Sequence, residues 1–256
     1  MLKKWVFVLR PTRNNTISNN TIPIITIDGP SGSGKGTISR KIASILSWNI
    51  LDSGAIYRAV AFCARENNLQ MSDELNIRRL IKKTTIKFKL DSSYKQKILI
   101  NKKDASEDIR SEECGSNASI IAKYGGIRSD MIALQRMFLK KPGLIADGRD
   151  MGTVVFPESK VKVFLTAETD IRAKRRYKEL KEKGINVSLP AVLNDMKLRD
   201  KQDKERKYGP LKMASDSILI DSSNKSVERV VSEILKNYES MYLFKAMHKS
   251  TKKDTW

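Results

Sequence analysis

A chain of 256 residues with 40% hydrophobic and 30% charged side chains is sized for one sizeable core with insertions, and that balance excludes a disordered or fibrous protein. Two cysteines, Cys63 and Cys114, and one histidine, His248, exclude a disulfide framework, a zinc site and histidine-based catalysis. The formal charge of +20 fits a protein that handles polyanions, and it also fits a lysine-rich solvated surface, since lysines alternate with acids in runs such as Lys178-Glu179-Leu180-Lys181-Glu182-Lys183.

The first residues carry an apolar run only from Trp5 to Leu9, with no cleavage pattern after it, and no segment reaches the roughly 18 to 20 apolar residues that span a bilayer. A cytoplasmic, reducing location is expected. The polar run Asn14 to Thr21 lacks periodicity, so residues 1–22 read as a flexible extension. Ile24-Ile25-Thr26-Ile27 then reads as a buried strand, a glycine-rich loop follows, and Ile38, Ile42, Ile45 and Leu46 recur at helical spacing. A short strand at Asn49–Leu51 meets Asp52-Ser53 as a helix cap, and Ile56, Ala59, Val60, Cys63 and Ala64 mark the next helix. Two strands between Thr85 and Asn101 flank Asp91-Ser92-Ser93 as an inserted hairpin, and a long helix is expected over about Ser116 to Lys140. Leu144-Ile145-Ala146 and Val161 to Ala167 are strands, and Ile171 to Lys183 is a basic helix closed by Gly184. Ile218-Leu219-Ile220 is a last strand, followed by a helix marked by Val227, Val230, Val231, Ile234, Leu235 and Tyr238. Strands alternating with helices predict a doubly wound parallel sheet.

Gly29-Pro30-Ser31-Gly32-Ser33-Gly34-Lys35-Gly36-Thr37 lies between that first strand and helix. Its glycines let backbone N–H groups turn inward around phosphate oxygens, the helix N-terminus adds its positive end, and Lys35 can bridge β- and γ-phosphates. Gly36 stands where the general pattern wants Ser or Thr, so Thr37 is not assigned to Mg²⁺. Asn101-Lys102-Lys103-Asp104 looks like a guanine-reading motif, but no aspartate in the chain has glycine three residues later, which removes the GTPase switch and with it that reading.

Asp52-Ser53 with Arg58 can hold a second anion near the nucleotide, although an ordinary capped helix with a solvated arginine would look the same. Leu144-Ile145-Ala146-Asp147 is a Walker-B-like strand end, with Asp147 able to hold Mg²⁺ through water, and Arg149 and Asp150 follow in the loop. Arg199, Asp203 and Arg206 stand on one helix face at i, i+4 and i+7, a spacing that also suits a structural ion pair.

These blocks, with Ser106 to Arg110, resemble the cytidylate kinase family of the bacterial type in order from about Ile24 to Tyr238, most diagnostically at Asp147 to Pro157. The resemblance implies an α/β, P-loop NTPase-type doubly wound sheet over 23–243, with a nucleoside-monophosphate-binding insertion at about 54–140, a mobile lid at about 172–211 and a basic tail at 244–256. It implies ATP-dependent phosphorylation of CMP and dCMP with Mg²⁺, by a monomer with no nucleic-acid or membrane partner. Carried over by residue, Ser53, Arg58 and Arg149 would hold the CMP phosphate, Ser119, Arg128 and Asp150 would face cytosine, and Arg199 and Asp203 would face the ribose. Arg206 would lie at the base or phosphates, and Lys35, Arg149 and Arg206 would be catalytic. Gly29 to Thr37 would hold ATP together with Arg175, from a basic run that resembles the lid segment near its phosphates.

Overall fold

The computed structural model describes residues 22–90, 96–182 and 184–250. Its centre is a five-stranded, all-parallel sheet of β1 (Ile24–Asp28), β2 (Asn49–Asp52), β6 (Leu144–Gly148), β7 (Val161–Thr166) and β8 (Ile218–Asp221), in the order β2-β6-β1-β7-β8. Alternate residues of each buried strand face opposite sides. Ile25, Ile27, Ile50 and Ile145 join one apolar cluster that includes Ile42 of α1 (Lys35–Leu46) and Ile234 of α8 (Val227–Ser250). Ile24, Leu51, Leu144 and Ala146 join the other, with α2 (Ser53–Glu66). This two-sided burial is why these strands read as nearly continuous apolar runs.

Between β2 and β6 the chain inserts α3 (Glu74–Lys83) and a small antiparallel sheet of β3 (Ile86–Leu90), β4 (Gln96–Ile100) and β5 (Lys103–Asp104). The turn expected at Asp91-Ser92-Ser93 lies outside the described residues, as do residues 1–21 of the expected extension. The sequence reading passed over α3 and the two-residue β5. Asn101 and Lys102 both take positive φ, 49° and 73°, in the β4–β5 turn, so the guanine-motif look-alike is a tight turn of the small sheet.

The single long helix expected over 116–140 is two, α4 (Glu112–Ile121) and α5 (Gly125–Arg136). Tyr124 is extended at φ −84°, ψ 124°. Two glycines with poor helix propensity follow it, and the Gly126 N–H donates to Glu74 Oε1 of α3 at 2.9 Å. A carboxylate 52 residues away thus starts a new helix where periodicity alone shows one. After β7 come α6 (Thr169–Glu182) and α7 (Leu189–Glu205), packed on each other through Ala173, Leu180, Val192 and Met196. Helix α8 continues to Ser250, past the boundary expected at 243.

The register aligns the carboxyl ends of the strands, Asp28 with Gly148 and Asp52 with Asp147. Chain order reverses beside β1, and ligands of open parallel sheets sit at that end, where loops diverge.

Candidate active site

Asp28 ends β1 and anchors the site's floor: its two carboxylate oxygens accept the N–H groups of Met151 and Gly152 at 2.8 and 2.7 Å. That ties the turn after β6 to the start of the glycine loop. Gly29, at φ +154°, lies so close to the Leu165 carbonyl that a Cβ there would collide with backbone. Gly34 caps α1 in the left-handed region at φ +95°. Within the loop, Ser33 Oγ and Lys35 Nζ both donate to the Pro30 carbonyl, at 3.0 and 2.7 Å. Burial drives Lys35 down to about 8, assisted by Arg149 and resisted by Asp147, Asp203 and Asp28.

A cavity of about 1030 Å³ opens above this loop. Ser31, Gly32, Gly34, Lys35, Gly36 and Thr37 line it, while Gly29 and Pro30 are buried and do not. Arg175 is placed elsewhere: it donates to Ser222 Oγ and to the Ser222 carbonyl at 3.2 and 2.7 Å, and with Ser33 it lines a neighbouring cavity of about 450 Å³. It is therefore beside the glycine loop but on its β8 side, because Ser222 follows the sheet's edge strand.

Across the cavity, α2 begins with Asp52, not Ser53, as its cap: Asp52 Oδ1 accepts the Ala55 N–H at 2.9 Å. The expected cap serine instead accepts a hydrogen bond from Gln135 Nε2 of α5 at 2.8 Å. Arg58 turns to the segment leading into α4, donating to the Ile109 and Ser111 carbonyls at 3.1 and 2.9 Å, and still lines the cavity. Ser119, exposed on α4, donates to Gly115 O at 3.1 Å and lines the same space.

The remaining charges form one alternating chain. Arg128 of α5 pairs with Asp150, and Arg206 stands 3.9 Å from Asp150 and 3.4 Å from Asp203. Asp203 accepts from Arg149 Nε at 2.7 Å. Burial pushes Asp203 up, but Arg149 and then Arg206 outweigh it and hold the carboxyl below its ordinary value. Arg206 ends α7 in extended conformation and turns its Nε to the Gly209 carbonyl, so it leaves the helix face on which spacing had put it. Arg199 is not part of the chain. It donates to Glu112 Oε2 at 2.9 Å, and Arg176 pairs with the other oxygen of the same carboxylate.

Asp147 closes β6 beside Asp52 and Lys35. Burial raises it to about 7, Lys35 opposes the rise, and Asp52 adds to it. A desolvated carboxylate next to a phosphate loop suits a hydrated Mg²⁺, whose charge would offset the burial. Among the described residues no group of three or more His, Cys, Asp or Glu could hold a metal by itself. Thr37 Oγ1 accepts from Arg40 Nη2 at 3.4 Å.

Sequence reasoning named Arg172 only as the start of the basic lid run, and it did not single out Asp28, Tyr57, Glu112 or Gln135. Only Asp28 carried a usable signal, an apolar strand ending in aspartate as at Asp147.

A family model described as cytidylate kinase matches residues 25–240, from the second residue of β1 into α8. The chain belongs to the cytidylate kinase family. The cytidylate kinase of Methylococcus capsulatus is 47% identical over 221 residues, covering 86% of this chain and 99% of that protein. That of Pseudomonas aeruginosa is 43% identical, covering 86% of this chain and 97% of the relative, and that of Colwellia psychrerythraea is 45% identical, covering 83% and 94%. The cytidylate kinase match takes in all of the sheet but Ile24, the small-sheet insertion, α6 and α7, and every cavity-lining residue named above.

Proposed function

We propose that the cleft transfers the γ-phosphoryl group of ATP to the phosphate of CMP or dCMP, yielding the diphosphate. The observation that carries this reading is the alternating chain from Arg128 through Asp150, Arg206 and Asp203 to Arg149, which runs from the inserted helices to the neighbourhood of Lys35. One end suits a base and the other a pair of phosphates. The acceptor oxygen of CMP is already nucleophilic, so no general base is required, and the work is positioning and neutralising charge.

The glycine loop would hold the ATP phosphates. Lys35, now bonded to Pro30 O, would swing to the β- and γ-phosphates, and Arg149 and Arg206 would meet charge on the transferring group. Ser53 and Arg58 would take the CMP phosphate, with Arg199 and Asp203 at the ribose. Asp147 would hold Mg²⁺ through water, and the ion, when bound, supplies charge neutralisation on the phosphates. Arg128 offers a donor for cytosine N3 and still has N–H groups beyond the one given to Asp150, while Asp150 or Ser119 offers an acceptor for the N4 amine.

The α6–α7 pair, about 172–211, would act as a lid that excludes water as a competing acceptor, and about 54–140 would form the monophosphate-binding insertion. Among the described residues no helix is long and apolar enough to cross a membrane. We take the enzyme to be a cytoplasmic monomer that acts on free nucleotides. A coupled assay with CMP, dCMP, UMP and AMP tests the reading: CMP and dCMP should be good acceptors and UMP and AMP poor. No turnover with CMP would sink it.

A further inference from the structure

Helix α6 carries Arg172, Lys174, Arg175, Arg176, Lys178 and Lys181, and a solvated basic helix would leave all of them in water. Arg172 instead keeps 4% of its surface. A guanidinium survives at that depth only with its N–H groups taken and its charge opposed. Its Nε donates to the Ala167 carbonyl at 2.9 Å, and its Nη2 donates to Thr169 Oγ1 and Asp200 Oδ2 at 2.8 and 2.7 Å. Its Nη1 donates to the Ser31 carbonyl at 3.0 Å, 141 residues away in the chain. One side chain therefore joins the end of β7, helix α7 and the crest of the glycine loop.

The loop contact has a consequence for the N–H groups that face phosphate. Ser31 and Gly32 line both cavities, and Arg172 lines neither, so the Ser31 carbonyl is drawn to the back of the loop. Across a planar trans peptide the next N–H points opposite to the carbonyl, which sends the Gly32 N–H toward the cavity side. Gly32 is held there at φ +75°, and a Cβ on it would meet Met196 Cε at 2.9 Å and Arg172 Cβ at 3.1 Å. The crest thus rests directly on α6 and α7. Asp200 grips Arg172 through Oδ2 alone, and its Oδ1 is buried without a partner.

We propose that Arg172 is a positioning residue for ATP: it sets the Ser31–Gly32 peptide for phosphate binding and, through Asp200, makes that setting depend on α7 being docked. This rests on the reading that the glycine loop holds ATP. The coupling gives the enzyme a phosphate cradle that is fully formed only when the α6–α7 pair is down.

The test compares wild type, Arg172→Lys and Asp200→Asn by calorimetric titration with ATP alone and with CMP alone, alongside thermal melting. Lysine keeps the charge, but a single ammonium cannot reproduce the fork that reaches Ser31 O and Asp200 together. Arg172→Lys should weaken ATP by about tenfold or more and CMP by no more than about twofold, and Asp200→Asn should weaken ATP by about threefold to tenfold. Equal loss of both nucleotides would mean a general structural role and would overturn the proposal, as would unchanged ATP affinity in either variant. If Arg172→Lys does not fold, the Asp200→Asn titration decides alone. A wild type that binds ATP but does not phosphorylate CMP would refute the acceptor assignment and leave the ATP comparison intact, whereas a wild type that binds no ATP would overturn both.

Discussion

Arg128 and Asp150 form an ion pair that joins helix α5 to the loop after β6, with side chains only 6% and 5% exposed. The backbone of Gly209, at φ +55°, covers them so closely that a Cβ there would strike both side chains, and Arg128 also stands 5.9 Å over the Tyr57 ring. We propose that a pair shut in this way reads the base, by hydrogen bonds that water cannot replace.

Cytosine presents an acceptor at N3 and a donor at N4, and uracil the reverse. Each mismatch against buried polar groups costs about 1 to 3 kcal/mol, so wild type should favour CMP over UMP by roughly 10² to 10⁴ in kcat/KM. Ser119→Ala with Arg128→Met should narrow that gap chiefly by weakening CMP. Parallel kcat/KM measurements with CMP and UMP decide it, and near-equal wild-type values would reject base reading by this pair.

Asp150→Asn leaves Arg128 and Arg206 facing a neutral group in a buried setting. Removing one partner of such a pair costs about 3 to 5 kcal/mol. Chemical denaturation should show a loss of that size, and a loss below about 1 kcal/mol would mean that water already shares the pair.

Lys35→Met should lower phosphoryl transfer by about 10² to 10³ or more, as loss of a transition-state charge contact does, while the unfolding midpoint stays close to wild type. The lysine is buried, and its ammonium donates to the Pro30 carbonyl at 2.7 Å, within its own loop, so the fold gives up little. Turnover within about tenfold of wild type would contradict the role.

Burial lowers Lys35 to about 8 and raises Asp147 to about 7, and each resists the other's shift because each lies in the other's field. Phosphate binding needs the lysine protonated and Mg²⁺ binding needs the carboxylate ionised, so kcat/KM for ATP should be bell-shaped, with its acid limb near 7 and its alkaline limb near 8. Asp147→Asn should abolish the acid limb. The sign for stability is opposite to that of an ordinary salt-bridged carboxylate. Native Asp147 keeps its proton between 3.8 and about 7 while the unfolded chain has lost it, so this group's contribution is full at the low end and fades as pH rises. Melting of the nucleotide-free protein with and without Asp147→Asn, from pH 4 to pH 8, checks that direction.

Glu112 holds Arg176 of α6 and Arg199 of α7 from the start of α4, across the mouth of the cleft. Its side chain is 44% exposed, so each contact is worth only about 0.2 to 1 kcal/mol and is screened by salt. Glu112→Gln should free Arg176 for the ATP phosphates and Arg199 for the CMP ribose, and lower the KM for ATP by about twofold to fivefold at low ionic strength. The difference should vanish at high salt. A higher KM would show that the contact serves to hold the arginines in place.

The glycine loop, the aspartate closing β6 and the two-sided strands were legible in the sequence because each is a local matter. Glycine tolerates the positive φ of a turn, and apolar residues recur with the period of the element that buries them. The partners of the charged residues were not legible, because they are chosen by how distant segments pack. The break between α4 and α5 depends on Glu74, Ser53 is met by Gln135 from α5, and Arg206 left its helix face for Gly209. Within one basic run, Arg172 was drawn under the glycine loop and Arg175 toward Ser222. A guanidinium costs too much to bury unless acceptors from other elements meet it, and those acceptors exist only once the sheet, the insertion and the α6–α7 pair have come together.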